Sequence, residues 1–384
     1  MRRVVVLMGA MVVLLAGCTT TDVVSLPQTG DPLADGKAAI ALAPARDKVL
    51  WKMRTSAVAM RRGDYPEAKR LLDEVIFSIG GIVSKDKDAK KARGVFHEEA
   101  RKSFHGEPYE QVMAYYYRGI LYWMDGEPDN ARACFRTGQL VDSDTENKEY
   151  SADYVLLDYL DGLASVKLAG DGGDAFNRSE KEAHWSRPPR YDSQANVLIF
   201  AEYGNGPTKY GTGEYGEQLR FLPGSSNHRG ARFRVNNLAV ALDPYDDLNF
   251  QATTRGGRVM DHILGNKAVF KTATDVAGDV GLVGGLLLAS QRETRDAGIG
   301  LAAAGLVSKI ISSATTPAAD TRCWQNLPEY LSFGALRLPP GQYTASVDFL
   351  PSPGNPIAVS TKTLTFTVAD ASRDTVLFVS DKSQ

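Results

Sequence analysis

Hydrophobic residues in this chain change their period near residue 186. Before that point they return at helical spacing, as in "AMRRGDYPEAKRLLDEVI" and "YYYRGILYWMDGEPDNARACF". After it they alternate. In "TKTLTFTVA", Leu364, Phe366 and Val368 take one face and Thr363, Thr365 and Thr367 the other. In "QYTASVDFL", Tyr343, Ala345, Val347 and Phe349 oppose Thr344, Ser346 and Asp348. A strand cannot satisfy a helical period, nor a helix a period of two. The chain is therefore expected to be α+β, with a helical region at 46–185 and a β-rich region at 186–384. The switch falls at "WSRPPRYDSQ", whose two prolines mark a boundary. "ANVLIFAEYGNGPTK" and "ARFRVNNLAVALDPY" each read as a strand, and "LPPG" and "PSPGNP" read as turns. An antiparallel sandwich with one wet face per sheet fits this pattern.

Inside the helical region the spacing of small and aromatic residues repeats. Gly63 is followed by Tyr65, Ala68 and Leu72, and Tyr115, Gly119 and Tyr122 are followed by Gly126, Ala131 and Phe135. The pattern resembles the tetratricopeptide repeat, in which glycine opens the turn and small residues let paired helices approach. The two turn glycines lie 126 − 63 = 63 residues apart, short of two repeats of ~34. The pair between them must be irregular. A weaker third echo runs Tyr159, Gly162, Gly170, Ala175. Tyr115, Gly119 and Tyr122 match packing positions of the repeat. Tyr116 and Trp123, seven apart and on one face, are left over for a partner in a groove or for contact with the β-rich region. The charge-dense stretch from Lys85 to Lys102 reads as a solvated helix face and loop, with a surface for an acidic partner as the alternative.

One segment interrupts the β-rich region. "TATDVAGDVGLVGGLLLASQRETRDAGIGLAAAGLVSKIISSAT" is rich in Gly and Ala and is split by "QRETRD". It is expected to form a helical hairpin over about 274–313, with small residues permitting close packing. Each half is too short to cross a bilayer comfortably.

The N-terminus gives an address. Arg2 and Arg3 precede an apolar run from Val4 to Gly17, and Leu15-Ala16-Gly17-Cys18 closes it. This resembles the lipoprotein signal class, in which the cysteine thiol takes a diacylglycerol and the chain is cut before it. Residues 1–17 are then a signal peptide, Cys18 is the lipidated residue, and 18–45 is a tether rich in Thr, Asp, Pro and Gly. Thr19 after the cysteine, by resemblance to the sorting rule of enteric bacteria, favours the outer membrane and the periplasm. Removal of residues 1–17 leaves 384 − 17 = 367 residues and takes the formal charge from -2 to -4. That charge gives no argument for a nucleic-acid partner. The partners expected are the membrane, through the N-terminal lipid, and a protein of the envelope.

Chemistry-bearing patterns are sparse. The histidines are His97, His105, His184, His228 and His262, and none has a neighbour at metal-ligand spacing. Cys134 and Cys323 remain after Cys18; an exported chain could pair them, or they could be two separate buried thiols. "GNGPTK", from Gly204 to Lys209, lacks the spacing of a phosphate loop. Asp261-His262 has no nucleophile in a G-x-S-x-G setting beside it. "ADTRCWQNLP" reads as a structural entry to the sheet, with Asp320 pairing Arg322 and Trp324 packed beneath. No catalytic residue, metal or cofactor is assigned.

Three blocks in order, "FHGEPYEQVMAYYYRGILYWMDGEPDNARACF", "VLIFAEYGNGPTK" and "ADTRCWQNLPEYLSFGALRLPPGQY", resemble a poorly characterised family of bacterial lipoproteins with a tetratricopeptide-like N-terminal half. The likeness spans most of residues 46–350. It implies a non-enzymatic scaffold in envelope assembly or surface export. The alternative is an envelope glycan-binding module or hydrolase that uses the β-rich region. A concave helical face lined by Tyr116, Tyr117, Trp123 and Asn130 would favour the first. Three or more convergent polar side chains in a pocket of the β-rich region would favour the second.

Overall fold

A computed structural model describes residues 28–80, 103–143, 148–254, 319–351 and 359–383. The signal segment, Cys18, the charge-dense stretch at 85–102, His97, the Asp261-His262 pair and the hairpin expected at about 274–313 lie outside the described residues.

The first helix, α1 (Pro32–Leu42), falls inside the stretch expected to be a tether through residue 45. The correction has a local cause. Asp31 accepts from the amides of Leu33 and Ala34, and Pro32 stands in the first turn, where its missing N–H costs nothing. Gly36 lets this helix lie on the next one, since a Cβ there would sit 2.4 Å from Thr55 Oγ1.

Among the described residues three helix pairs follow. α2 (Lys48–Arg61) turns into α3 (Tyr65–Gly80), α4 (Pro108–Met124) into α5 (Pro128–Asp142), and α6 (Val155–Lys167) into α7 (Gly173–Lys181). Gly63 and Gly126 make the first two turns at φ +71° and +83°, a region that penalises any residue with a Cβ. Within the second pair a Cβ on Gly119 would meet Phe135 Cε1 at 2.5 Å. Within the third, Gly162 stands in the same relation to the Phe176 ring, at 2.9 Å. Small residues therefore sit where an aromatic of the partner helix closes the pair.

The β-rich region begins with β1 (Val197–Tyr203), the hairpin β2 (Thr208–Thr212) and β3 (Gln218–Leu222), then β4 (His228–Val235) and β5 (Leu238–Leu242). The two-residue β6 (Asp246–Asp247) leads into the short α8 (Leu248–Thr253). The strands β7 (Tyr330–Leu336), β8 (Gly341–Pro351), β9 (Ser360–Val368) and β10 (Thr375–Ser380) complete it. "ARFRVNNLAVALDPY" holds two strands rather than one, because Asn236 takes φ +51° and starts a two-residue hairpin turn between Val235 and Leu238. One four-stranded sheet runs β10-β1-β7-β6 and another β5-β4-β8-β9. The second is antiparallel throughout, but β1 and β10 of the first run parallel.

The two sheets pack face to face. Val197, Ile199, Ala201 and Tyr203 of β1 meet Ala231, Phe233 and Val235 of β4 and Val347 and Phe349 of β8 in one apolar cluster. Gly334 of β7 admits the closest approach, where a Cβ would lie 2.7 Å from Val240. The β5-β4-β8-β9 sheet keeps an outer wet face, as Thr361, Thr363, Thr365 and Thr367 are exposed. The β10-β1-β7-β6 sheet does not, which corrects the expectation of one wet face per sheet. All seven residues of β1 are buried. Leu198 and Phe200 of β1, Leu331 and Phe333 of β7 and Phe378 of β10 join a second cluster with the helices. The order of layers is helices, central sheet, outer sheet.

Candidate functional site

The helical layer meets the central sheet along α4, and two buried ion pairs of the described residues lie there. The sequence "AYYYRGILYW" puts Tyr116, Tyr117 and Trp123 on adjoining faces of this helix. All three are buried, at 1% exposure or less. Tyr116 and Trp123 both rest on Phe200 of β1, with ring centroids 6.3 and 6.5 Å away. Trp123 Nε1 donates to Asp374 Oδ2 at 2.9 Å, and Lys167 Nζ reaches the other oxygen of Asp374 at 2.6 Å. Tyr117 packs edge-on to Phe378 at 6.0 Å and against Trp324 at 6.0 Å. The assignment of Tyr116 and Trp123 to partner binding is therefore corrected. They share a face as the spacing requires, but the chain's own sheet fills the concavity they line. Asn130 lies apart from them, exposed and bound to Glu127.

Two buried ion pairs pin this join. Glu202 stands in β1 at the one position of the helix-facing row that carries charge. Its Oε1 accepts from Arg61 Nε of α2 at 2.6 Å, and its Oε2 accepts from Tyr117 OH. Burial opposes the Arg61 charge, but Glu202 outweighs it and holds the guanidinium above its ordinary pKa. Burial, with Glu202 adding to it, pushes the Tyr117 hydroxyl well up, so it stays a donor.

The second pair joins three segments distant in sequence. Glu110 is the third residue of α4, and one oxygen accepts from the Glu107 amide at 2.6 Å in a capping arrangement. The same Oε2 accepts from Lys209 Nζ of β2, and Oε1 accepts from the Trp324 amide at 2.6 Å. Lys209 also donates to the Arg322 carbonyl at 3.0 Å. Its side chain is 1% exposed. Burial alone would discharge it, yet Glu110 and then Glu107 hold its pKa above the ordinary value. Arg54 of α2 donates to the Cys323 carbonyl at 2.6 Å. "GNGPTK" and "ADTRCWQNLP", separate motifs in the sequence, thus meet in space. Asp320 and Arg322 pair at 2.7 Å as expected, with Asp47 as a further partner of Arg322, and Trp324 is fully buried.

The cysteines do not meet. Cys134 is a free thiol in α5 and Cys323 a free thiol beside Tyr109 and Pro207, so the disulfide gives way to the alternative of two buried thiols. Burial pushes Cys323 up to about 11 and Cys134 up to about 12, which keeps both protonated and inert. His105 is exposed, and His228 lies 3.3 Å from Asp381. Among the described residues no group of three or more His, Cys, Asp or Glu is placed to hold a metal, and no helix is long and apolar enough to cross a membrane.

An open groove of about 320 Å³ lies on the other side of α2. Pro32 and Ala39 of α1, Trp51, Arg54 and Val58 of α2 and the Gln325–Asn326 turn line it, and Gln28 stands at its edge. Sequence reasoning missed Arg61, Glu202, Glu110 and Lys209. Glu202 had a signal, being a lone carboxylate in an otherwise apolar strand. Glu110 and Lys209 had none, because each looks like an ordinary helix-start or turn residue. No family model, curated protein or solved structure matches this chain.

Proposed function

We propose that the protein is a lipoprotein of the bacterial envelope, acylated at Cys18, that serves as a non-enzymatic protein-binding scaffold in envelope assembly or surface export. The "LAGC" motif supports the address. The three helix pairs support a tetratricopeptide-like array, with turn glycines at 63 and 126 and glycine-on-phenylalanine contacts at Gly119 and Gly162. The observation that carries a binding rather than a catalytic reading is the enclosure of the polar chemistry. Arg61, Glu202, Glu110 and Lys209 are each buried against a partner in the chain, and they hold layers together instead of facing a cleft. Buried pairs of this kind fix geometry more than they add stability.

Such arrays receive peptides on their concave face. Here that face holds the central sheet, so a partner must dock outside it. The groove between α1, α2 and the Gln325–Asn326 turn is the surface we assign to that role. Gln28 is the tenth residue after Cys18, a reach of at most ~35 Å, which keeps this groove close to the bilayer that holds the lipid. The test is photo-crosslinking in intact cells from Val58, half-buried in the groove wall, with Tyr210 of β2 as a surface control. A defined adduct from Val58 that is absent from Tyr210, and that Cys18→Ala abolishes together with fatty-acid labelling, supports the reading. Labelling that persists in Cys18→Ala removes the lipoprotein assignment. Turnover of cell-wall glycan by the purified protein would favour the hydrolase alternative.

A further inference from the structure

Elsewhere along the join, buried carboxylates gather around the start of α6. Asp246 of β6 reaches into the helical layer and caps α6, with Oδ1 accepting from the Val155 amide at 2.8 Å and Oδ2 from the Leu156 amide at 2.9 Å. Asp153 lies just before α6. Its Oδ1 accepts from Gln251 Nε2 of α8 at 2.7 Å, and its Oδ2 is buried with no hydrogen-bond partner. The Asp153 amide donates to Asp142 Oδ2 at the end of α5. Asp142, Asp153 and Asp246 are 0%, 2% and 1% exposed.

The groups facing this cluster are mostly acidic too. Asp158 comes from α6 and Glu182 from the segment after α7, and Asp246 and Asp153 both act on the buried Tyr154 hydroxyl. The Gln251 hydrogen bond and then His184 favour a charged Asp153, and Arg178 is already taken by Asp158 and Asp161. Among the described residues no lysine or arginine comes within ion-pair distance of Asp153 or Asp246. Two neighbouring buried carboxylates disfavour each other's charge, and burial disfavours both. The amides at the start of α6 and the helix dipole favour a charged Asp246, but burial outweighs them. The Oδ2 of Asp153 has no donor to meet a negative charge, which favours a proton there.

We propose that Asp153 holds a proton on its unpartnered Oδ2 at the join of the helical layer with the β6–α8 segment, forming a latch that holds in mild acid and loosens when the proton leaves. Burial pushes Asp153 up to about 6 and Asp246 up to about 7, the latter against its two amide donors. A folded pKa above the unfolded value means that the folded chain binds more protons. This contribution to stability is complete below about pH 4 and is lost as pH rises through about 6 to 7.

The test uses the full acylated protein in detergent. The infrared difference spectrum of wild type minus Asp153→Asn at pH 6 should contain the carbonyl band of a buried protonated carboxyl. Amide exchange at Val155 and Leu156, corrected for intrinsic rates, should speed up from pH 5.5 to 8 in wild type. In Asp153→Asn, which keeps an acceptor for Gln251 and mimics the neutral acid, exchange there should be slow at both pH values. Absence of the carbonyl band in wild type overturns the proposal. So does a pH dependence at Val155 and Leu156 that is the same in wild type and Asp153→Asn. Circular dichroism of the variant checks that it is folded.

Discussion

The two faces of β1 are buried in different ways. Toward the outer sheet it presents Val197, Ile199, Ala201 and Tyr203, and the opposing side chains there are apolar. Toward the helices it presents Leu198, Phe200 and Glu202, and these meet Tyr116, Trp123, Tyr117 and Arg61. The first interface is non-directional, and swaps of similar volume cost little there. The second contains a carboxylate that must find a guanidinium and a hydroxyl. A strand displaced by two residues would keep its apolar faces but would leave Glu202 and Arg61 apart in a dry layer. The difference teaches that volume comes from the outer interface and register from the helical one.

The largest effect that could break this comparison is loss of the aromatic layer. Tyr116→Ala together with Trp123→Ala removes two fully buried side chains, each worth about 3–5 kcal/mol. The pair approaches the whole stability of a typical domain, about 5–15 kcal/mol. The double variant is expected to be largely unfolded by circular dichroism. A near-normal melting temperature would mean that this face is open, as a partner groove would be.

Next is Glu202→Ala, which leaves Arg61 buried and unpaired and should cost about 3–5 kcal/mol in urea unfolding. Arg61→Met combined with Glu202→Leu should recover most of the loss. If the two single losses simply add, the pair does not set the register.

Much of this architecture was legible in the sequence, and the failures have physical causes. The period switch at residue 186, the alternation of β8 and β9, the turn glycines at 63 and 126 and the Asp320–Arg322 pair all follow from local chemistry. The burial of Tyr116 and Trp123 does not. A helix shows its second apolar face in the sequence, but not whether a peptide or its own sheet will cover it. The capping role of Asp31 was overlooked because Thr, Asp, Pro and Gly also make a tether, and Asp-Pro serves both. The Lys209–Glu110 pair joins residues 99 apart, a contact that no local period encodes.

Smaller effects sharpen the contrast. Ile199→Val, on the apolar side of the same strand, should cost only about 0.5–1.5 kcal/mol and leave cooperativity unchanged. A broadened transition would show that this face also specifies register. Smallest is the effect of reductant. With Cys134 and Cys323 as separate thiols, dithiothreitol should leave the melting temperature where it was, and a drop would reveal a bridge.

The central claim is that the chain's own sheet fills the inner face of the helices. Oxidative footprinting of the four tryptophans tests it in one experiment. Trp185 is 46% exposed, Trp51 is partly exposed, and Trp123 and Trp324 are 1% and 0% exposed. The account predicts that Trp185 oxidises first and Trp51 more slowly, with Trp123 and Trp324 protected until the protein unfolds. Oxidation of Trp123 in the folded protein at the rate of Trp185 would contradict it.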